Sequence, residues 1–287
     1  MLYGAIMSNT APDPAARTDT DTTARTVASV YDRMGAGFDD LVEATPFLMN
    51  TYDLYNLCLS EWIAEGRLGR VLDVGCGSGK QAVMLAPHAD TLIGIDLSEA
   101  LIRVAEARCR AHANAQFQVA DACALPFPDA HFDRIVSYGD VLSHIVTRYA
   151  DAVSEMARVL KPGGLVTLEA DTKWNLGIFY HPQEMLDALR APGRGHDTRV
   201  WEGMRFKTFT WHELKSLMEA NGLEIVSCRG HNILASLIPD RWLLEKGKRS
   251  FPGRLALGLG KIDLALSGTF PFNRFGFNFV ITARKRR

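Results

Sequence analysis

A glycine-rich turn between a predicted strand and a predicted helix constrains the fold of this chain more than any other feature. The sequence reads VLDVGCGSGK over residues 71–80, with glycine at positions 75, 77 and 79. Glycine tolerates positive φ and has no Cβ, so the backbone can turn sharply and approach a ligand closely. The turn therefore predicts an α/β domain with a nucleoside-type ligand at the end of a buried strand.

Two charged residues beside the turn narrow the choice of ligand. The dinucleotide fingerprint G-x-G-x-x-G needs glycine at position 80, where a pyrophosphate meets the helix N-terminus, and this position holds Lys80. Asp73 precedes the turn, and its carboxylate would repel a pyrophosphate but accept hydrogen bonds from an amine-bearing cation. A nicotinamide dehydrogenase is therefore disfavoured, and no hydride-transfer constellation is recognisable.

Strand and helix patterns alternate downstream, and acidic residues follow successive strands. Asp96 ends an apolar run 21 residues after Gly75, a distance that suits a carboxylate bonded to a ribose diol. Asp121 follows a third predicted strand. We expect strands at 70–74, 91–96, 115–120, 132–138 and 164–170, and helices at 79–86, 99–112 and 148–160. This alternation predicts a mostly parallel sheet covered by helices on both faces.

The ordered series over residues 70 to 170 resembles the class I S-adenosylmethionine (SAM) dependent methyltransferases. The glycine turn corresponds to their motif I, and Leu160-Lys161-Pro162-Gly163-Gly164 corresponds to the turn after the last motif. The run LPFPD at 125–129 is similar to the branch that contains ubiquinone and menaquinone C-methyltransferases and many small-molecule methyltransferases. The resemblance implies a Rossmann-like α/β fold with a seven-stranded, mostly parallel sheet, and SAM as the cofactor.

The resemblance also implies roles for single residues. Gly75 and Gly77 would approach the ribose and the methionine moiety, while Asp73 would orient the α-amino group directly or through water. Asp96 would accept from the ribose hydroxyls, and Leu97 would pack on the adenine. Asp121 and the Ala122 backbone would bond the adenine edge. The implied cofactor-binding residues are Asp73, Gly75, Cys76, Gly77, Gly79, Asp96, Leu97, Asp121, Ala122 and Tyr138.

Catalytic candidates follow the fourth predicted strand and lie in the N-terminal segment. Methyl transfer is an in-line displacement at an activated carbon, so positioning supplies much of the acceleration, and a base is needed only when the acceptor must lose a proton. The candidates for such a role are His144, Tyr31 and Asp140, with Glu169, Asp171 and His181 at other strand ends. The alternatives are a polar helix position for His144 and helix packing for Tyr31.

The rest of the chain is expected to cover this core. Residues 1–25 have a composition typical of a disordered leader, and 26–66 predict an N-terminal helical lid with a helix around 46–64. Residues 67–287 form the expected SAM-binding core, with cap segments at 172–210 and 230–275. After the first cap segment, Thr210 followed by Glu213 has the capping-box pattern and predicts the start of a helix. The second cap segment is a helical insertion, with helices expected at 237–248 and 254–267, between two strands that form an antiparallel edge pair by resemblance. The apolar run 255–259 is favoured to bury against the chain's own core rather than a second subunit.

Composition excludes several function classes. The formal net charge of the 287-residue chain is −1, which gives no global reason to expect nucleic acid or an anionic membrane as partner. Five cysteines without paired spacing argue against a disulfide framework and a structural zinc site. No apolar segment reaches a membrane span.

The sequence therefore predicts a cytoplasmic enzyme, monomeric or homodimeric, that methylates a small molecule on an O, N or C nucleophile. The alternatives are an RNA or protein methyltransferase and a non-catalytic SAM-binding module. Neutral charge and the absence of an Asn-Pro-Pro-Tyr-type motif at Ser137-Tyr138-Gly139-Asp140 disfavour the first alternative. The sequence leaves open whether the native start is Met1 or Met7.

Overall fold

Short apolar strands form a seven-stranded sheet at the centre of the molecule, in a computed structural model that describes residues 20–35, 37–195, 199–239, 242 and 247–287. The sheet strands are β1 (Arg70–Val74), β2 (Thr91–Asp96), β3 (Ala115–Val119), β4 (Phe132–Ser137), β5 (Leu160–Asp171), β8 (Leu223–His231) and β9 (Asn278–Lys285). Their spatial order is β3-β2-β1-β4-β5-β9-β8. The first five strands are parallel, and β9 runs antiparallel to β5 and to β8.

Helices cover the two faces of this sheet. They are α1 (Thr20–Met34), α2 (Gly37–Ala44), α3 (Pro46–Ala64), α4 (Lys80–Leu85), α5 (Glu99–Cys109), α6 (Val141–His144), α7 (Tyr149–Val159), α8 (Pro182–Arg190), α9 (Trp211–Ala220) and α10 (Phe251–Leu266). Neighbouring strand residues point to opposite faces, so Leu72 packs in an apolar cluster with α7 and α9, whereas Val71 packs in a second cluster with α3 and α4. The predicted Rossmann-like α/β architecture and its antiparallel edge pair are confirmed.

The lid consists of α1, α2 and α3. The predicted helix at 46–64 is confirmed, whereas α1 begins at Thr20, inside the segment whose composition suggested a leader. Residues 1–19 lie outside the described residues.

The first cap segment is more regular than its sequence suggested. Besides α8 it contains a hairpin of β6 (Arg199–Trp201) and β7 (Met204–Phe206), which turns at Glu202 and Gly203, both with positive φ. The Thr210 side chain accepts from the Glu213 N–H and caps α9 as predicted. The Glu213 carboxylate, however, bonds Gly195 N and Lys207 Nζ, so it ties the cap to α9 instead of completing a capping box.

The second cap segment contains the predicted C-terminal helix as α10. Half of the helix expected at 237–248, residues 240, 241 and 243–246, falls outside the described residues. The expectation that residues 255–259 bury against the core holds for Ala256, while Leu255 and Gly258 are exposed. No helix in the described parts of the chain is both long and apolar enough to cross a membrane.

Candidate active site

The glycine turn after β1 is held against the end of β2 by backbone hydrogen bonds. Gly75 N and Cys76 N both donate to Ile95 O, at 2.8 and 2.9 Å, and Gly77 N donates to Asp96 Oδ2 at 2.9 Å. Gly75 and Gly77 adopt φ of +71° and +51°, conformations that favour glycine. A Cβ on Gly75 would collide with Val141, whereas nothing lies within 4 Å of the place that a Cβ on Gly77 would take. The turn therefore presents bare backbone to the space above it.

A cavity opens directly over this turn, and we call it the glycine-turn cavity. The carboxyl ends of the parallel strands meet there, which is why residues distant in sequence converge. Of the residues singled out by sequence, its wall includes Gly75, Cys76, Gly77, Asp96, Leu97, Asp121, Ala122, Tyr138, Tyr31 and His144. The structure thus brings together eight of the ten cofactor-binding candidates and two of the three catalytic candidates.

Asp73 and Gly79 do not line this cavity. Asp73 is buried in β1, and burial followed by the charge of Asp96 raises its pKa to about 7. Of the two roles that the resemblance implied for Asp73, a direct contact with a ligand is therefore unsupported by the geometry. Gly79 starts α4 with φ of +77°, and a Cβ there would lie 3.0 Å from Ala105 of α5, so this glycine permits a turn and close helix packing.

Asp96 keeps acceptor capacity that the protein does not use. Its two carboxylate oxygens each accept one backbone N–H, from Gly77 and Ser98, both at 2.9 Å. An ionised carboxylate offers roughly four acceptor positions. Burial raises the pKa of Asp96, and backbone hydrogen bonds from Ser98, Gly77 and Leu97 oppose this rise. These backbone bonds do not use the full acceptor capacity of the carboxylate, so part of it stays available for a ligand diol.

Asp121 is held at the far end of the cavity. Its Oδ1 accepts from Cys123 N at 2.8 Å, and its Oδ2 lies 3.4 Å from Arg148 Nη1. Arg148 also lines the cavity, and the sequence reasoning missed it because the residue belongs to no recognised motif. This end of the cavity thus contains a carboxylate and a guanidinium group side by side.

The lid closes over the glycine-turn cavity through two carboxylates. Asp32 of α1 accepts from Ser98 Oγ at 2.6 Å and from Ala100 N at 3.1 Å, at the start of α5. These hydrogen bonds, with that to Ser98 the strongest, lower the pKa of Asp32. Asp39 of α2 accepts from Ser78 Oγ at 2.7 Å and pairs with Arg108. Both lid helices are therefore fastened to the core beside the glycine turn.

A second cavity, the aromatic cavity, lies between the lid and the first cap segment. The aromatic cavity has a volume of about 200 Å³, and its wall is largely apolar. The apolar residues of the wall are Phe38, Leu41, Phe47, Leu48, Val200, Trp201, Phe206 and Phe277. Since a single water needs roughly 10–15 Å³ of such volume, the cavity has room for a multi-atom ligand.

The two cavities share a wall formed by Tyr31, Phe38, Tyr52, Gly139 and His144. Within it, Tyr31 Oη lies 2.9 Å from His144 Nε2, and Phe206 packs against the imidazole with ring centroids 4.5 Å apart. Burial lowers the pKa of His144 to about 4, so the ring is neutral near pH 7. The two catalytic candidates Tyr31 and His144 are thus in contact at the junction.

The third catalytic candidate, Asp140, lines the aromatic cavity and not the glycine-turn cavity. Its Oδ1 accepts from Asn278 Nδ2 at 2.9 Å, and the same amide lies 3.3 Å from Asp171 Oδ1. Arg199 of β6 lies 3.4 Å from Asp171 Oδ2. Burial raises the pKa of both carboxyls well above the usual range, and each is raised further by a neighbouring acid. One end of an otherwise apolar cavity therefore carries polar groups.

Glu169 supports the turn between β4 and α6 from below. Its Oε2 accepts from Gly139 N at 2.9 Å and Asp140 N at 3.1 Å, and from the Tyr55 hydroxyl. Burial raises its pKa to about 7. Glu169 and His181 line neither cavity, so these two acid–base candidates lie outside the cavity walls.

Comparisons with known proteins agree with this geometry. Residues 71–164 match the family described as methyltransferase domain. A 2-phytyl-1,4-naphtoquinone methyltransferase of Synechococcus elongatus is 35% identical over 144 residues, which are 48% of this chain and 60% of that protein. The chain therefore spans about three fifths of the length of this curated relative.

Two solved structures share the fold over nearly the whole chain. The [4+2]-cyclase SpnF has a TM-score of 0.60 at 21% identity and covers 92% of this chain and 97% of its own. The 1,6-didemethyltoxoflavin-N1-methyltransferase of Burkholderia thailandensis, solved with its substrate and S-adenosylhomocysteine, has a TM-score of 0.60 at 16% identity, covering 96% and 94%.

The strand order, the glycine turn with Asp96, and the matching family model lead to one conclusion. Residues 71–164 match the methyltransferase domain family, and they lie in a sheet whose fold is shared with a solved methyltransferase structure.

Proposed function

We propose that this protein transfers the methyl group of SAM to a small-molecule acceptor bound in the aromatic cavity. One observation carries the proposal: the glycine-turn cavity and the aromatic cavity adjoin and share the wall that contains Tyr31, Gly139 and His144. A donor in the first cavity and an acceptor in the second would meet at this wall. Methyl transfer needs this in-line approach more than it needs any particular catalytic group.

The residues of the glycine-turn cavity fit SAM part by part. Asp96 retains acceptor capacity for the ribose hydroxyls, and the bare backbone at Gly77 allows close approach. Leu97 and Ala122 supply apolar contacts for the adenine, and Asp121 supplies an acceptor for its amine. Asp73, which lies below the cavity wall, is left with the water-mediated role toward the α-amino group.

When bound, SAM supplies a methyl carbon that its sulfonium already activates. The protein's own residues position the acceptor and, for an acceptor that must lose a proton, remove it. His144 is neutral near pH 7 and can take a proton at Nε2 through the Tyr31 hydroxyl, which is bonded to it. Asp140 lines the aromatic cavity alone and is bonded to Asn278, and we assign it to acceptor binding rather than proton transfer.

The position of the aromatic cavity favours a small acceptor over RNA or protein. Lid residues Tyr31, Phe38, Leu41 and Phe47 form one side of it, and hairpin residue Val200 belongs to the other. An acceptor must therefore fit beneath the lid. The fold alone does not choose the reaction, since one structural neighbour is a [4+2]-cyclase.

Methyl-labelled SAM tests the proposal. The protein is incubated with it and with an extract of its source, and label is then counted separately in small molecules, RNA and protein. We expect label in a small-molecule fraction, and loss of that label with an Asp96→Ala variant. Label in RNA or protein instead would show that the alternative function, methylation of RNA or protein, is correct. No transfer despite SAM binding would favour a non-catalytic SAM-binding module.

A further inference from the structure

Helix α10 is oriented in the opposite way to an ordinary surface helix. Its buried positions are Gly253, Ala256, Gly260 and Asp263, a set of small or polar residues spaced three or four apart. Three of its large apolar side chains point outward: Phe251 is 73%, Leu255 45% and Ile262 48% exposed. Its other leucines, Leu257, Leu259, Leu264 and Leu266, are half-buried. A helix that packs only on its own domain normally buries its large apolar face.

Close packing against α3 explains the small residues on the inner face. A Cβ on Gly260 would collide with the Asn50 side chain, so only glycine fits there. Ala256 packs with Ile238 and Phe47. Asp263 accepts from Leu234 N at 2.9 Å and from Ala235 N at 3.1 Å. These contacts fix which face of α10 points outward, so the exposure of the apolar side chains does not come from a loosely attached helix.

The outward face carries basic residues and no acid. Within α10 the exposed positions include Arg254 and Lys261, and the one acidic residue of the helix, Asp263, is fully buried. Lys248 and Arg249 precede the helix, next to Phe251. Asp53 of the adjoining helix α3 is a charged neighbour of this face. Burial raises the pKa of Asp53, and the nearby charge of Lys261 partly opposes that rise. The net charge of this face is therefore positive although the whole chain is close to neutral.

From this combination we propose that the α10 face, defined as Lys248, Arg249, Phe251, Arg254, Leu255, Lys261 and Ile262, binds to the surface of a membrane containing anionic lipid. A helix lies in the interface when its outer apolar side chains enter the acyl boundary and its basic side chains meet the headgroups. The helix has 16 residues and a length of about 24 Å, and it lies on the surface without spanning it.

Charge complementarity selects this occupant over a second copy of the chain. Two copies paired about a two-fold axis would place the same basic face against itself, because a symmetric dimer uses one patch on both subunits. Arg254 and Lys261 would then face their like-charged equivalents, with Asp263 buried and unable to compensate. Anionic headgroups supply the opposite charge.

The buried side of α10 lies close to the aromatic cavity. Phe47 packs with Ala256 and Leu259 of α10 on one side and lines the aromatic cavity on the other. If the proposed function is correct, docking would bring a membrane-dissolved apolar acceptor to the side of the molecule on which α10 covers its site. Membrane binding itself does not depend on the proposed function.

Vesicle sedimentation with the full chain tests the inference, and it is done without SAM so that it is separate from methyl transfer. We expect binding to mixed phosphatidylcholine and phosphatidylglycerol vesicles and far weaker binding to pure phosphatidylcholine. Replacing Phe251 and Leu255 with serine should weaken binding by at least about tenfold for each side chain. Replacing Lys248 and Arg254 with glutamine should weaken it on the order of twentyfold in total.

Val119→Ser is the matched control, because this half-exposed valine lies on β3 at the opposite edge of the sheet, and it should leave binding unchanged. An unchanged circular dichroism spectrum and melting temperature show that the α10 variants fold. The inference is overturned if the wild type does not bind anionic vesicles or if the serine variants bind as well as the wild type. A dimer in size-exclusion chromatography that Phe251→Ser converts to monomer would also overturn it, since a second copy would then cover the face.

Discussion

His144 is buried at the wall between the two cavities, and burial lowers its pKa to about 4. The ring therefore stays neutral between pH 5 and 8 and is able to accept a proton over that whole range. We predict that His144→Gln lowers kcat by about 10²- to 10⁴-fold, the usual contribution of a general base, and leaves the KM for SAM nearly unchanged. Steady-state kinetics at several pH values measure both constants. An unchanged kcat would show that the acceptor needs no base or that His144 does not serve it.

His231 provides a pH-dependent contribution to stability that is separate from the site. It is buried at the end of β8, and burial lowers its pKa to about 3. Between pH 6.5 and 3 the unfolded chain binds a proton at this residue that the folded chain does not, so stability is lost as the pH falls. Relative to a His231→Met variant, the wild type should lose about 2 to 3 kcal/mol of unfolding free energy between pH 7 and pH 4.5.

Urea unfolding at both pH values gives this difference. The exposed His212 supplies the control, since His212→Gln should follow the wild type at both pH values. Equal losses in the wild type and in His231→Met would mean that the folded protein protonates His231 without penalty.

At the scale of residues, the sequence predicted the site residues that lie on one turn and the adjacent strand end, but not those that come from distant segments. Gly75, Gly77 and Asp96 lie on one turn and the end of the next strand, so their convergence follows from parallel-strand geometry. Asp171 and Arg199 meet through a hairpin that the sequence did not reveal. Asn278 joins Asp140 and Asp171 although it lies more than 100 positions further along the chain. No spacing rule connects such residues, so the polar end of the aromatic cavity emerged only from the folded structure.

At the scale of elements, the lid helices are fastened at two points. Asp32 binds the start of α5, and Asp39 binds Ser78 and Arg108 beside the glycine turn. We predict that the double variant Asp32→Asn and Asp39→Asn opens the lid more often, so SAM dissociates severalfold faster and amides of residues 20–44 exchange faster with deuterium.

Stopped-flow displacement and hydrogen exchange measure these two rates. Glu219→Gln is a suitable control, since Glu219 forms an exposed pair with Lys215 within α9 and lines neither cavity. Unchanged dissociation in the double variant would mean that the lid does not gate the glycine-turn cavity.

The β6–β7 hairpin helps to line the aromatic cavity, which is the proposed acceptor site, and does not line the glycine-turn cavity, which is the proposed cofactor site. Val200 of β6 lines the aromatic cavity and not the glycine-turn cavity. Val200→Trp should fill part of the aromatic cavity, reduce methyl transfer at least about tenfold and leave the Kd for SAM within about twofold. Loss of SAM affinity in this variant would contradict the division between the two cavities.

Elements were predictable where one periodicity dominated. The core strands are short apolar runs, and α3 begins at Pro46 and follows a helical pattern, so most of their bounds agree with expectation. The exception is β5, which begins at Leu160, four residues before the predicted start. The hairpin at 199–206 has strands of only three residues each, too short to show alternation. The outward orientation of α10 was not predictable either. The apolar run at 255–259 does not show which side of the helix packs against the protein. The contact between Asn50 and Gly260 in the folded structure shows it.

At the scale of the whole molecule, the two halves of the site come from different parts of the chain. Residues 71–164 form the family domain and supply the glycine turn, Asp96 and Asp121. The lid, the first cap segment and β9 supply most of the aromatic cavity. The first half follows a pattern shared across the family, which is why the cofactor could be predicted from sequence. The second half of the site is assembled from segments without a common motif, so the acceptor could not be predicted from the sequence.

The binding of SAM at the glycine turn is the claim on which the rest of this account depends. Isothermal titration calorimetry of the wild type and of Asp96→Ala with SAM, S-adenosylhomocysteine and NAD tests it most directly. Hydrogen bonds to a charged group contribute about 1.5–3 kcal/mol each, so Asp96→Ala should weaken SAM binding by one to several powers of ten while NAD does not bind. Binding of NAD alone, or equal SAM affinity in both proteins, would contradict the account.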